Sequence, residues 1–163
     1  MFRGIYETHI DVADLDRAVS FYEDVLHLEV SAKLPVDAAR ADSHSRGARR
    51  VAIMWIGGQG HAALGLWERP ADRINVQHFA FELGWPEMLS VIADLDRRGI
   101  ELRDFEMNRT TTPSVFASVP MASIYFDDPD GHLLEIVAEL PGVPRPELGI
   151  VPLDEWSQGD EDT

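Results

Sequence analysis

The sequence has no cysteine in its 163 residues, so disulfide bonds and thiolate metal ligands are excluded. Basic residues are also few: 14 lysines and arginines stand against 29 acidic residues, which gives a formal net charge of −15. Nucleic acids and anionic membrane surfaces require a basic face on the protein, so neither is expected as a partner. The excess of acidic residues favours solubility instead.

Long apolar runs are absent as well. No stretch approaches the roughly 20 apolar residues that a membrane-spanning helix requires. The segment MFRGIYETHIDV at the N-terminus does not have a charged segment followed by a long apolar one, as a signal peptide does. A cytoplasmic protein is therefore expected. Hydrophobic residues still make up 45% of the chain, which is a normal share for a globular domain.

The first half of the chain predicts one strand, one helix and three further strands. The helix follows the segment IYETHIDV, with Asp14 as its N-cap and apolar residues from Leu15 to Leu26 at helical spacing. A polar loop, PVDAARADSHSRGARR, interrupts the strands that follow. The predicted strands are IYETHIDV, Glu29 to Leu34, RRVAIMWIG and HAALGLWE. The segment from about residue 4 to about residue 70 is therefore predicted to form a β-α-β-β-β module.

The second half repeats this order over residues of about 74–140. Its helix has Pro86 in the first turn and ends at Gly99. The segment MNRTTTPSVFASVPM is predicted to be an irregular loop. The predicted strands are NVQHFAFEL, IELRDFE, ASIYFDD and HLLEIVAEL. A proline-rich acidic tail, residues 141–163, can pack on the core or on a partner subunit through Ile150, Val151, Leu153 and Trp156.

The repeat places two histidines at equivalent points. His9 lies in the first strand of module one, and His78 lies in the first strand of module two. Glu135 stands out because it is flanked by apolar residues in the last strand. Imidazole and carboxylate ligands from separate strands suit a divalent ion such as Fe(II), Mn(II), Zn(II) or Ni(II), with one side left open to substrate. A packed or solvent-facing role is the alternative for each residue.

Three stretches of the sequence resemble the vicinal oxygen chelate superfamily, which includes glyoxalase I, fosfomycin- and bleomycin-resistance proteins and extradiol dioxygenases. The stretches are THIDVADLDRAVSFYEDVLHLEV, VQHFAFEL and ASIYFDDPDGHLLEIVAEL, and with the segments between them they span about residues 5–140. The last stretch is the most specific, since an aromatic strand, an Asp-Pro-Asp-Gly turn and a strand that carries Glu recur across the family.

The resemblance implies an α+β fold in which two βαβββ modules form a cup-shaped mixed sheet around a metal. By the family pattern the metal ligands fall on His9, His78 and Glu135. Residues 1–140 would be a single domain. The metal expected is a divalent ion, with Fe(II) favoured and Mn, Ni or Zn as alternatives. A homodimer is expected because relatives often pair modules across a dimer.

The residues around these ligands bear on the reaction that the resemblance implies. Glyoxalase I relatives usually supply a fourth ligand from the last strand of module one. The similar strands ALGLW and LLEIV align Gly65 with Glu135 there, and Glu68 lies beyond that point. A three-ligand site resembles extradiol dioxygenases and fosfomycin-modifying transferases better. In the dioxygenases a tyrosine ten residues before the glutamate contacts the substrate, and this position is Tyr125, for which core packing is the alternative.

One further candidate follows from the same resemblance, and another follows from the residues of a loop. The dioxygenases carry a His-His-Asp-Leu-Ala-Leu-like strand whose second histidine is an acid/base. His61 fits the first position and is a candidate catalytic residue, but Ala62 replaces the second histidine. Arg109, in the loop Arg-Thr-Thr-Thr, is a candidate contact for an anionic or polar substrate, with a solvated loop as the alternative.

The expected function is that of a metal-dependent enzyme acting on a small substrate that chelates the metal through vicinal oxygens. Extradiol-type dioxygenase chemistry is slightly favoured. A glyoxalase-like lyase or isomerase and a fosfomycin-type thiol transferase are the alternative enzymes. The alternative of another class is a non-catalytic small-molecule binding protein of the bleomycin-resistance type, which would hold no metal.

Overall fold

The computed structural model describes residues 4–36 and 47–158. Most of the predicted polar loop between Pro35 and Arg50 lies outside the described residues. The chain forms two compact units. Unit 1 contains the described residues up to Gln77 together with Asp128–His132, and unit 2 contains His78–Asp127 and the described residues from Leu133 onward. Among the described helices, none has the length and apolar character needed to cross a membrane.

Unit 1 has the predicted β-α-β-β-β order. Its elements are β1 (Glu7–Val12), α1 (Leu15–Asp24), β2 (Glu29–Pro35), β3 (Arg50–Ile56) and β4 (Ala62–Glu68). The sheet order is β1-β4-β3-β2, with β1 and β4 parallel and the other pairs antiparallel. The first and last strands of the module are therefore neighbours, which brings His9 beside β4.

Helix α1 covers one face of this sheet. The Asp14 carboxylate accepts a hydrogen bond from the Arg17 backbone N–H at 3.0 Å and caps the helix, as predicted. The helix and the covered sheet face share a buried apolar core, made of Leu15, Ala18, Val19, Tyr22, Ile10, Val12, Leu64 and Leu66. Since successive strand residues point to opposite faces, His9 lies on the face away from α1.

Unit 2 contains the remaining strands and helices. They are β5 (His78–Glu82), α2 (Trp85–Arg97), β6 (Ser114–Phe116), β7 (Met121–Asp127), β8 (Leu133–Glu139), β9 (Ile150–Pro152) and α3 (Leu153–Gln158). The sheet order is β5-β8-β7-β6-β9, with β5 parallel to β8. Helix α2 buries Met88, Ile92 and Leu95, and the buried sheet residues Leu134 and Ile136 lie on the sheet face opposite to Glu135.

The predicted strand IELRDFE is wrong. Within it only Arg103 makes strand-like bridges, one to Tyr125 and one to Arg109. The chain instead reverses at Met107, which has a φ of 67° and donates its backbone N–H to the carbonyl of Asp104. A stretch that mixes apolar and charged residues forms a strand only where a neighbouring strand offers hydrogen bonds, and here β7 does so at Arg103 alone.

The segment predicted as an irregular loop contains β6. This short strand pairs with β7 on one side and with β9, from the tail, on the other. The tail therefore adds a strand to the sheet of unit 2 and buries Val151 and Trp156. The Arg145 guanidinium lies 3.8 Å above the Trp156 ring and donates to the Trp156 carbonyl. The pairing of β6 with β9 joins segments far apart in sequence, so it leaves no local signal.

The turn Asp128–His132 connects two strands of unit 2 but packs within unit 1. The Tyr22 hydroxyl donates to the Asp128 carboxylate at 2.9 Å. His132 is fully buried: its Nδ1 accepts the Gln77 N–H at 3.1 Å, and its Nε2 donates to the Asp11 carbonyl at 2.8 Å. Both ring nitrogens are thus used in packing, which gives His132 a structural role.

Candidate functional site

One face of the unit 2 sheet carries the predicted ligands of that unit. The face opposite to α2 presents His78 from β5, Glu135 from β8, and Ser123 and Tyr125 from β7. Glu135 is directly paired with Tyr125 and with Ala80, so these three residues form a row across the sheet. Residues paired across strands point to the same face, which explains why the polar side chains meet.

His78 and Glu135 are in direct contact. The His78 Nε2 atom lies 3.0 Å from Oε2 of Glu135. The other carboxylate oxygen of Glu135 accepts a short hydrogen bond from the Ser123 hydroxyl. The His78 side chain is about half exposed, at 49%, whereas that of Glu135 is 12% exposed. The pair therefore has one open side, on the histidine.

Tyr125 completes this polar group. Burial, together with a hydrogen bond to Glu135 and the charge of that carboxylate, raises the pKa of Tyr125 to about 12. The phenol is therefore protonated at neutral pH and acts as a hydrogen-bond donor. Its ring centroid lies 6.0 Å from that of His78 and 6.5 Å from that of Phe105. The tyrosine is thus buried beside the histidine and the carboxylate.

Two arginines extend the row of Ala80, Glu135 and Tyr125 beyond the tyrosine. Arg103 bridges Tyr125 through backbone hydrogen bonds, and Arg109 bridges Arg103. An Nη atom of Arg103 forms an ion pair with Asp127 at 2.6 Å. Arg109, the predicted substrate contact, is exposed at the end of the row. This position is compatible with the predicted role of Arg109, which stays a prediction.

His9 lies in unit 1 with a different set of neighbours. Its Nδ1 atom accepts a hydrogen bond from the indole N–H of Trp67 at 2.8 Å, and its Nε2 lies 3.5 Å from Oε1 of Glu7. The ring lies over Gly65, where a Cβ atom would be only 2.1 Å from His9 Nδ1. Gly65 is therefore needed for this position of the imidazole, because any larger residue would displace the ring.

The strand register corrects the alignment of Gly65 with Glu135. His9 is paired with Gly65, and His78 is paired with Leu133. Two residues further along, Asp11 is paired with Trp67 and Ala80 with Glu135. If the histidines are equivalent, then Trp67 is the counterpart of Glu135. Each histidine contacts its diagonal neighbour on the adjacent strand: His9 contacts Trp67, and His78 contacts Glu135.

Glu68 serves the scaffold of unit 1. Its carboxylate pairs with the Arg50 guanidinium at 2.7 and 3.0 Å and accepts the Leu15 backbone N–H at 3.3 Å. The hydrogen bonds from Arg50 lower the pKa of Glu68 to about 2. This buried carboxylate joins the end of β4 to the first turn of α1, so it is engaged in structure and not available as a fourth ligand.

His61 is exposed immediately before β4. Its backbone N–H donates to the Gly58 carbonyl at 3.3 Å, and the residue lines a cavity of about 440 Å³ together with Ile5 and Tyr6. Position 62 is the first residue of β4, so Ala62 begins the strand that passes beside His9. The catalytic role predicted for His61 stays a prediction.

His78 and Glu135 fit a divalent metal by the chemistry of their donor atoms. An imidazole nitrogen and a carboxylate oxygen that already lie 3.0 Å apart are ligands that such ions prefer. Within the described residues, however, no group of three or more histidines, aspartates and glutamates is placed to hold an ion. The structure thus brings together His78 and Glu135, and the three-ligand set that includes His9 stays a prediction.

Two contacts of these sites were not predicted from the sequence. Ser123 lies two positions before Tyr125 in β7, so strand alternation places both on the face of Glu135. Trp67 lies two positions after Gly65 in β4 and contacts His9 by the same rule. The spacing of two residues was therefore a usable signal once Tyr125 and Gly65 had been singled out.

The profile of the Glyoxalase/Bleomycin resistance protein/Dioxygenase superfamily matches residues 5–136. The chain belongs to this superfamily. It is similar to a metallothiol transferase FosB from Shouchella clausii (strain KSM-K16), with 29% identity over 139 residues, which are 83% of this chain and 80% of the relative. The family also confirms the α+β fold with its βαβββ modules.

Solved structures agree on the fold. The oxidase ChaP-H2 matches with a TM-score of 0.62 and 21% identity, covering 89% of this chain and 100% of the other. The fosfomycin resistance protein FosX from Listeria monocytogenes, crystallised with Mn(II) and sulfate, matches with a TM-score of 0.57 and 18% identity, covering 86% and 95%. At these identities the similarity concerns the fold alone.

Proposed function

We propose that this protein is a metal-dependent enzyme that transfers a thiol to a small, oxygen-rich electrophile. The observation that carries the proposal is the contact of His78 with Glu135 at 3.0 Å, with Tyr125 and Ser123 on the same sheet face. The similarity to a metallothiol transferase supports this reaction class among those that the family contains.

His78 and Glu135 would hold the divalent metal, with His9 as the third ligand. When bound, the ion would supply Lewis-acid polarisation of a substrate oxygen. The Mn(II) in the FosX structure supports a divalent ion that prefers oxygen and nitrogen donors. Manganese is therefore the first metal to test, before the iron that the dioxygenase comparison favoured.

The remaining residues of the site would act on substrate oxygen. In the transfer, the thiol sulfur forms a bond to an epoxide carbon while the bond from that carbon to the ring oxygen breaks. The ring oxygen takes up a proton, and the thiol loses one. Tyr125, protonated at neutral pH with a pKa of about 12, would donate a hydrogen bond to this oxygen as it gains charge. Ser123 would keep the Glu135 carboxylate oriented.

The deciding experiment combines metal analysis with a substrate panel. The purified protein is loaded with Mn²⁺ and incubated with fosfomycin and either L-cysteine or glutathione, and the thiol adduct is measured by mass spectrometry. We expect an adduct with at least one thiol, and none with His78→Ala. Mn²⁺-loaded protein that yields no adduct with either thiol, but converts a hemithioacetal, would point to a glyoxalase-like reaction instead.

Extradiol dioxygenation is the second candidate. It is favoured by the place of Tyr125, which is paired with Glu135 across the strands, since extradiol dioxygenases have a substrate-contacting tyrosine ten residues before the glutamate. Ala62, in place of an acid/base histidine, argues against it. Oxygen uptake by the iron-loaded protein with a panel of catechols tests this candidate. Protein that neither retains nor takes up any metal would instead support the binding-protein alternative.

A further inference from the structure

The hydrogen bond between Trp67 and His9 determines which nitrogen of His9 carries its proton. The indole N–H is a donor only, and it lies 2.8 Å from Nδ1 of His9. Nδ1 must therefore present its lone pair, so the proton of the neutral ring is on Nε2. The position of Nε2, 3.5 Å from the Glu7 carboxylate, agrees with a proton there.

This arrangement conflicts with metal binding by the same ring. A neutral imidazole has a single in-plane lone pair, and here Trp67 occupies it. Metal-binding histidines usually donate their second ring N–H to an acceptor such as a carboxylate or carbonyl. Trp67 cannot accept that hydrogen bond. Binding through Nε2 would move the proton to Nδ1, where it would face the indole N–H, and binding through Nδ1 would require the indole to leave.

We propose that Trp67 is a positioning residue that competes with the metal for His9. In the metal-free protein it holds the imidazole over Gly65 in the Nε2–H form, and its hydrogen bond must break before His9 can bind the ion. This inference rests on the proposed metal-dependent function. It predicts that Trp67 holds the His9 ring in one position and, by the same hydrogen bond, lowers the affinity of the site for the metal.

The test compares Trp67→Phe with the wild-type protein. Phenylalanine keeps an aromatic ring in place but removes the N–H. A net intramolecular hydrogen bond is modest in strength, so we expect Trp67→Phe to bind Mn²⁺ about two- to tenfold more tightly, measured by competition with a chelator. Trp55→Phe is the matched control, because Trp55 is a half-buried tryptophan on the same sheet face, and its affinity should equal that of the wild type.

A spectroscopic measurement on the wild type makes the test independent of folding in the variant. Proton–nitrogen NMR spectra should show His9 as the Nε2–H tautomer in the metal-free protein. On titration with diamagnetic Zn²⁺, the indole N–H signal of Trp67 should move upfield as its hydrogen bond is lost, while that of the buried Trp156 stays in place. An indole signal of Trp67 that stays in place when Zn²⁺ binds would overturn the inference.

The outcomes separate this inference from the proposed function. If the wild type binds Mn²⁺ and His9→Ala weakens binding, but Trp67→Phe binds equally or less tightly, the inference is wrong and the function stands. If His9→Ala leaves affinity unchanged, His9 is not a ligand, so the inference and the three-ligand site fail while the proposed reaction class stands. If neither the wild type nor Trp67→Phe binds Mn²⁺ or Zn²⁺, the proposed function fails and the inference fails with it.

Discussion

Strands β1 and β5 begin the two modules in the same way but surround their histidines differently. In unit 2, His78 contacts Glu135, a carboxylate that also accepts a hydrogen bond from Ser123 and is paired across the strands with Tyr125. In unit 1, His9 contacts Trp67, a hydrogen-bond donor. The two neighbours occupy equivalent places in the register, because each lies two residues after the residue that is paired with the histidine. The two modules thus share the geometry of the contact but differ in the chemistry of the diagonal neighbour.

The difference teaches why the two histidines should respond differently to a metal. Replacing the hydrogen bond of His78 by a metal contact leaves Glu135 as a second ligand. Replacing the hydrogen bond of His9 leaves behind an indole that offers no ligand atom. We therefore expect unit 2 to contribute most of the affinity for the metal and unit 1 to modulate it.

The largest effect is expected from removing the carboxylate of unit 2. Glu135→Gln keeps the shape of the side chain but removes its charge, and we expect Mn²⁺ affinity to fall by at least about 100-fold, as measured by calorimetry. Glu139→Gln, an exposed glutamate at the end of the same strand, is the control and should bind normally. Normal Mn²⁺ binding by Glu135→Gln would show that unit 2 does not contribute most of the metal affinity.

Tyr125→Phe tests whether unit 2 also supplies a donor for the reaction. Loss of one hydrogen bond to a developing oxyanion typically lowers kcat by about 100-fold, whereas metal affinity should stay within about twofold. Measuring kcat together with Mn²⁺ affinity separates the two roles. A parallel loss of both would show that Tyr125 acts through the position of Glu135 and not on the substrate.

Glu68 tests the scaffold of unit 1 through pH. Its pKa is about 2 in the folded state and 4.5 in the unfolded state, so it stabilises the fold above about pH 4.5. This stabilisation is lost as the pH falls through 4.5 toward 2, because the unfolded chain then binds the extra proton. Glu68→Gln should lower the free energy of unfolding at pH 7 by about 2 kcal/mol.

The same substitution should flatten the decline in stability between pH 4.5 and 2, as measured by urea unfolding at several pH values. Glu29→Gln, an exposed glutamate of the same unit, is the control and should leave the wild-type decline unchanged. An unchanged decline in Glu68→Gln would show that other carboxyl groups carry the acid sensitivity of unit 1.

The smallest effect is expected at the residues paired with the histidines. Gly65→Ala places a Cβ atom 2.1 Å from His9 Nδ1 in the present geometry, so the ring must move and the Trp67 hydrogen bond should be lost. We expect a loss of about 1 kcal/mol in unfolding free energy and an upfield shift of the Trp67 indole N–H. Leu133→Ala, at the equivalent place in unit 2, should leave the His78 ring signals unchanged.

Most of the fold could be predicted from sequence because it depends on local patterns. The helices α1 and α2 follow from caps and from apolar spacing, and most strands follow from apolar runs. The strand predicted at Arg103 failed because β7 offers it hydrogen bonds at one residue only. Strands β6 and β9 were missed because each is three residues long, which is too short for a pattern of alternation, and because β9 pairs with a segment distant in sequence. His78 and Glu135 are in contact, and their role as metal ligands stays a prediction.

By itself the sequence determined the duplicated modules and the equivalent places of His9 and His78 within them. Only the tertiary structure decided which residue stands beside each histidine, Trp67 or Glu135. The physical reason is the period of a strand. A shift of two residues leaves every side chain on the same face, so alternation cannot distinguish Gly65 from Trp67 as the counterpart of Glu135. The hydrogen-bonded register between distant strands removes that ambiguity.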